Sequence, residues 1–159
     1  MCLNDSKTAA LTVEQKRLIR ESFNEFYEAE IDGDCNVNSI YLRLFAENPE
    51  YKQLFPQLAT VPDSALFSSQ ELLSFSRKYT EGLKNIIDSM EDEQAMARQL
   101  KLIAKTHARL HITARHVKDM IPQLIRALRQ TCTDITPETE CAYRLLCDLI
   151  TERIEEYRK

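Results

Sequence analysis

The chain is poor in the residues that build tight β-turns. It has two glycines, Gly33 and Gly82, in 159 residues. No Asn-Gly or Asp-Gly pair stands between alternating apolar runs; Asp32-Gly33 is followed by Asp34, which is loop composition. β-Hairpins therefore have little to turn on. No apolar run approaches the roughly 18 residues that cross a bilayer, and the N-terminus lacks the apolar core of a signal peptide, so a cytoplasmic protein without membrane contact is expected. Basic residues are not in excess: the formal net charge is −4. Phosphate neutralisation needs clustered Lys and Arg, so a general nucleic-acid binder is not expected. The five cysteines are odd in number and form no C-x-x-C or His/Cys cluster with zinc spacing. Free thiols are the expectation in a reducing compartment. Histidine is scarce too, with three in all and none before residue 107.

Helical signals are plentiful. Residues 1–10 are polar or small and are expected to be a disordered tail, with one domain over 11–159. Thr12 and Gln15 make a capping box, followed by Leu18, Ile19, Phe23, Phe26 and Tyr27 at helical spacing. The segment 31–36 breaks that helix. A second stripe is Val37, Ile40, Tyr41, Leu44 and Phe45, ended by Pro49. Residues 57–67 read as loop or short helix. Ser68 and Glu71 suggest a second capping box before Leu72, Phe75, Tyr79, Leu83, Ile86, Ile87 and Met90. After an acidic break at 91–93, Met96, Leu100, Ile103 and His107 share one side. Another helix holds Val117, Met120, Ile121, Leu124, Ile125 and Leu128, with Pro122 inside it as a potential kink. Thr136-Pro137 opens the last helix, which buries Ala142, Leu145, Leu146, Leu149, Ile150 and Ile154. Six to eight unequal helices on short loops suit an irregular all-α packing rather than an up-down bundle.

Two stretches carry a specific likeness. Leu44-Phe45-Ala-Glu-Asn-Pro49-Glu-Tyr-Lys-Gln-Leu-Phe55-Pro56 and Leu102-Ile-Ala-Lys-Thr-His107-Ala-Arg-Leu-His111-Ile112 resemble the globin family. The first is similar to the segment in which a phenylalanine, a proline and a haem-packing phenylalanine are spaced by four and six residues. The second is similar to the segment with the proximal histidine. The resemblance runs from about Leu11 to Arg158, and it implies a globin fold around haem b (iron protoporphyrin IX). It makes His107 the axial ligand, a role that needs a neutral imidazole. Thr106 either accepts the other ring N–H or faces solvent. Phe55 is expected on the haem; Ile103, Leu110, Ile112 and Val117 are candidates for its proximal side. His111 matches a position that approaches a haem propionate, with Arg109 or Lys78 as cationic partners, and His116 is expected near solvent.

The distal side departs from the familiar pattern. With no histidine before His107, the resemblance places Phe75 where most globins carry the distal histidine, and Tyr79 one turn on. A one-residue slip puts Ser74 or Ser76 there instead. Tyr41 falls where several invertebrate globins carry a tyrosine over the haem, in position to hydrogen-bond dioxygen; otherwise it is a core aromatic. Tyr79 either crowds the pocket or ligates ferric iron. The function implied is reversible binding of dioxygen or another diatomic gas for storage, transport or sensing, with a cellular reductant as partner. Two other readings stand beside it: redox catalysis at the haem, such as nitric oxide dioxygenation or electron transfer, and a haem-free interaction module. Neither the gas nor the choice of monomer or homodimer is fixed by the sequence.

Overall fold

The computed structural model describes residues 10–31 and 36–158. Of the expected N-terminal tail only Ala10 is among them, and the break at 32–35 lies outside them. Among the described residues every regular element is helical. Helix α1 spans Val13–Ile31, α2 Asn36–Glu47, α3 Pro56–Ala59, α4 Asp63–Leu66, α5 Gln70–Asp88, α6 Glu93–Arg109, α7 Ala114–Thr131 and α8 Pro137–Arg158. A 3-10 turn at Pro49–Leu54 leads out of α2, with Pro49 at its start, where a missing N–H costs nothing.

The first cap forms as its sequence suggests. Thr12 N–H donates to Gln15 Oε1 (2.9 Å) and Gln15 N–H to Thr12 Oγ1 (3.1 Å). The cap of α5 lies one residue later than its sequence suggests: Ser69, not Ser68, accepts from Leu72 N–H. Helix α6 opens on Asp92, whose carboxylate accepts the N–H groups of Gln94 and Ala95. Helix α7 runs unbroken through Pro122. Pro122 and Lys118, one turn earlier, are both exposed, so water can take the carbonyl that the proline leaves without a partner.

The helices cross in pairs around one core: α6 packs on α8, α2 on α7, α1 on α8 and α2 on α5. Ile19, Phe23 and Phe26 of α1 are buried with Ala142, Tyr143, Leu146 and Ile154 of α8. Burial stabilises each large side chain by about 1.5–3 kcal/mol. One polar group is set into that contact. Ser22 Oγ donates to the Leu18 carbonyl (2.7 Å), and the Tyr143 hydroxyl donates into the pair formed by Ser22 Oγ (2.8 Å) and the Ile19 carbonyl (3.2 Å). The Cys132 thiol donates to the Ser22 carbonyl at 3.3 Å. Tyr143 is fully buried, and its hydroxyl is satisfied.

The cysteines depart in part from the free-thiol expectation. Cys132 and Cys147 are free and buried, and burial pushes their thiols up to about 11 and about 12, so both stay protonated and unreactive. Cys141 is disulfide-bonded. Sequence spacing could not foresee this, because a bridge depends on which helices the fold brings together. Cys2 and Cys35 lie outside the described residues.

Candidate functional site

The last turn of α6 fixes His107 twice. Its ring Nδ1 lies 2.8 Å from the backbone carbonyl of Ile103, one turn back. A carbonyl only accepts, so Nδ1 carries the proton and Nε2 keeps its lone pair. Burial lowers the imidazole's pKa more strongly than the Ile103 hydrogen bond raises it, which favours the neutral ring. The His107 carbonyl closes the end of the helix by accepting Ile112 N–H (2.9 Å), while His111 N–H reaches the Ala108 carbonyl (3.1 Å). These are the paired bonds of a Schellman cap. His111 therefore takes the left-handed position that glycine usually fills, at φ 60°. Thr106 takes no part in orienting the ring: its hydroxyl donates to the Leu102 carbonyl at 3.0 Å.

Helices α2 and α5 bring together Tyr41, Phe45, Phe75 and Tyr79, and Phe55, between the 3-10 turn and α3, completes a cluster of five rings. The Tyr41 ring meets Phe45 (6.1 Å between centroids), Phe55 (6.0 Å, edge-on) and Tyr79 (6.0 Å, edge-on). Phe55 also contacts Phe45 (5.8 Å) and Phe75 (5.1 Å, edge-on). A hydrogen bond between α2 and α5 sets the rotation of α5. Ser76 Oγ donates to Asn38 Oδ1 at 2.5 Å, and both residues are buried. That contact turns Ser76 toward α2 and leaves Ser74 exposed, while Phe75 packs on Phe55. The Lys78 ammonium lies 5.3 Å from the centre of the Phe75 ring.

Tyr41 and Tyr79 have no hydrogen-bond partner among the described residues. Desolvation is the sole cause that raises the Tyr41 phenol and the largest that raises Tyr79 well above the ordinary range. Tyr79 and His107 are desolvated yet only partly buried by surface, and Phe75, Ile103 and Val117 are partly buried too. Neither hydroxyl is among the fully enclosed polar atoms without a partner, so each keeps some accessible surface from which its O–H can donate to a ligand.

The remaining sequence candidates fall in three places. Ile112 is buried beside the proximal turn, and Ile103 is partly buried on the core side of α6. Leu110 is 38% exposed. His111 and Arg109 are exposed at the end of α6. His116 is half-buried and structural. Its Nδ1 accepts Thr113 N–H (2.9 Å), so it completes the capping box of α7, and its ring stands edge-on to Tyr51 at 4.6 Å. Burial lowers its pKa first of all; Asp119 and Glu50 raise it and Arg158 lowers it further. A Thr-x-x-His spacing was the available signal for this cap.

The site fits a haem on the chemistry of its donors: a neutral imidazole with a free Nε2, aromatic rings to cover a flat macrocycle, and two phenols without a hydrogen-bond partner among the described residues. The globin family profile matches residues 38–154. Cytoglobin-1 from Oryzias latipes is 26% identical over 106 residues, 66% of this chain and 58% of its own length. The chain thus spans less than two thirds of that relative. Hemoglobin-3 from Phacoides pectinatus is 23% identical over 131 residues, covering 79% of this chain and 80% of its own. Among solved structures, a hexacoordinated heme protein from an anhydrobiotic tardigrade superposes with a TM-score of 0.79 at 21% identity, covering 94% of this chain and 96% of its own. A double-mutant myoglobin from Aplysia limacina gives 0.83 at 15% identity, over 94% and 100%. At these identities the structural likeness is one of fold.

Proposed function

The chain belongs to the globin family, and from that premise we propose that it binds dioxygen, or another diatomic gas, reversibly at a haem b held by His107. Membership supports haem-based gas binding in general. The finer reading is carried by one observation: His107 presents a neutral imidazole with Nε2 free, because the Ile103 carbonyl holds the proton on Nδ1. A bound haem, held by His107, would supply the iron at which the gas binds.

The polypeptide's own contributions follow from the geometry. The Schellman cap and the Ile103 hydrogen bond fix the imidazole in orientation. Phe45, Phe55 and Phe75 exclude water from the opposite face. Tyr41 would offer its O–H as a hydrogen-bond donor to a gas with partial negative charge. Among the described residues no histidine stands among these rings, which supports a distal side open to the gas. His111, at the helix end, and exposed Lys78 and Arg109 would be the partners of the propionates.

Reversibility is the test. Ferrous protein reconstituted with haemin should regain its deoxygenated spectrum through several cycles of air and argon. Conversion to ferric within one cycle would favour the redox reading over storage or transport. Tyr41→Phe should release oxygen about tenfold faster by stopped flow, the effect of losing roughly one buried hydrogen bond. An unchanged rate would remove Tyr41 from this role.

A further inference from the structure

We propose that Tyr79 is a second hydrogen-bond donor of the same pocket, and that Tyr41 and Tyr79 together favour small anionic ligands over neutral ones. The inference rests on the haem reading above and names the ligand class that the pocket selects.

Each phenol has one O–H to give. The two rings meet edge-on at 6.0 Å, on α2 and α5 respectively. The other polar groups nearby are already committed: Ser76 donates to Asn38, Thr80 to the Ser76 carbonyl at 2.9 Å. The Tyr143 phenol, which also faces Tyr79 electrostatically, gives its proton to Ser22 and Ile19. Cys147, the strongest electrostatic neighbour of Tyr79, makes no hydrogen bond to it and is held protonated. Phe45, Phe55 and Phe75 offer no donor, and the Lys78 ammonium sits against Phe75 rather than among the phenols. Tyr41 and Tyr79 are therefore the uncommitted donors of the aromatic cluster. Two O–H dipoles in a desolvated site stabilise an acceptor rich in negative charge, and add little for a ligand such as carbon monoxide, whose outer atom accepts weakly.

Fluoride is the probe, because it gains from hydrogen-bond donors and accepts no π back-donation from iron. Ferric protein reconstituted with haemin is titrated with sodium fluoride as wild type, Tyr41→Phe, Tyr79→Phe and the double variant. Each single change should weaken fluoride by about tenfold and the double by about a hundredfold, one buried hydrogen bond at a time. Ferrous carbon monoxide affinity should move by less than about threefold. Fluoride affinity unchanged in Tyr79→Phe overturns the proposal while leaving the haem reading intact. Haemin uptake indifferent to His107→Ala overturns both. Thermal unfolding of the haem-free chain gives a reading independent of any ligand. Tyr79→Phe should leave the midpoint at or above wild type, since it removes an unpaired hydroxyl. A fall like that of Tyr143→Phe would mean that the Tyr79 hydroxyl has a structural partner, and would also overturn the proposal.

Discussion

Tyr143, at the contact of α1 and α8, and Tyr41 and Tyr79, at the contact of α2 and α5, are all desolvated phenols, yet only the first is hydrogen-bonded. The first region is finished within the polypeptide. Its hydroxyl, the Ser22 hydroxyl and the Cys132 thiol close on backbone carbonyls, with apolar side chains all round. The second is closed by rings but leaves two donors unspent. A buried polar group that is satisfied adds specificity to a core, whereas one left unsatisfied marks where something else must bind. The aromatic content of the two regions is similar; the difference lies in the hydrogen bonds.

The largest effect that separates the regions is truncation. Tyr143→Ala should cost about 3–5 kcal/mol, measured by chemical denaturation of the haem-free chain, because it opens a void in a filled core. Tyr79→Ala should cost clearly less, since that side chain is only partly buried. Equal losses would erase the distinction. Removing the hydroxyl alone is the next step down. Tyr143→Phe should cost about 1–2 kcal/mol and strand Ser22 Oγ as an acceptor, which is about 2–8 °C in a chain of this length.

Acid sharpens the comparison from the proximal side. The His107 and His116 imidazoles are both lowered from 6.5 by burial, so the unfolded chain binds protons more readily than the folded one. Stability is then fully present above about pH 6.5 and falls as the pH drops through the lower folded values. Protonated His116 can no longer accept the Thr113 N–H. His116→Gln supplies an acceptor that does not titrate, so it should keep the cap, worth about 1 kcal/mol, and flatten part of the acid loss in a pH series of denaturation curves. The smallest effect is His111→Gly. Glycine tolerates φ 60° without strain, so the change should stabilise the haem-free chain by about 0.5 kcal/mol, while loosening whatever the exposed imidazole holds. A loss of stability there would mean that the His111 side chain is itself a structural contact.

Much of this was legible in the sequence because the signals are local. The Thr12/Gln15 box, the stripe Leu83, Ile86, Ile87, and the Thr136-Pro137 start each lie within a turn or two of chain. The spacing of Phe45, Pro49 and Phe55, with His107 downstream, was enough to indicate the family. What stayed hidden depends on groups far apart in sequence or on the backbone. Ser22 and Tyr143 are 121 residues apart. The Asn38–Ser76 bond, 38 residues apart, decides which side chain of α5 meets Phe55, and no periodicity within α5 could choose between Phe75 and its serine neighbours. The acceptor for the His107 ring is the main-chain carbonyl of Ile103, which residue identities do not reveal, whereas the neighbouring Thr106 hydroxyl is spent on the Leu102 carbonyl. The unpaired state of Tyr41 and Tyr79 is the least legible of all, since it is known only when every neighbour has been placed.

The proposed gas binding requires His107 as the neutral axial ligand beneath an open distal pocket. The most direct measurement is the visible spectrum of haemin-reconstituted protein, ferric and then dithionite-reduced, beside His107→Ala. The account predicts a Soret band that depends on His107 and a broad single visible band on reduction, as for five-coordinate ferrous haem. A Soret band indifferent to His107, or a split low-spin visible spectrum in the reduced protein, would contradict it.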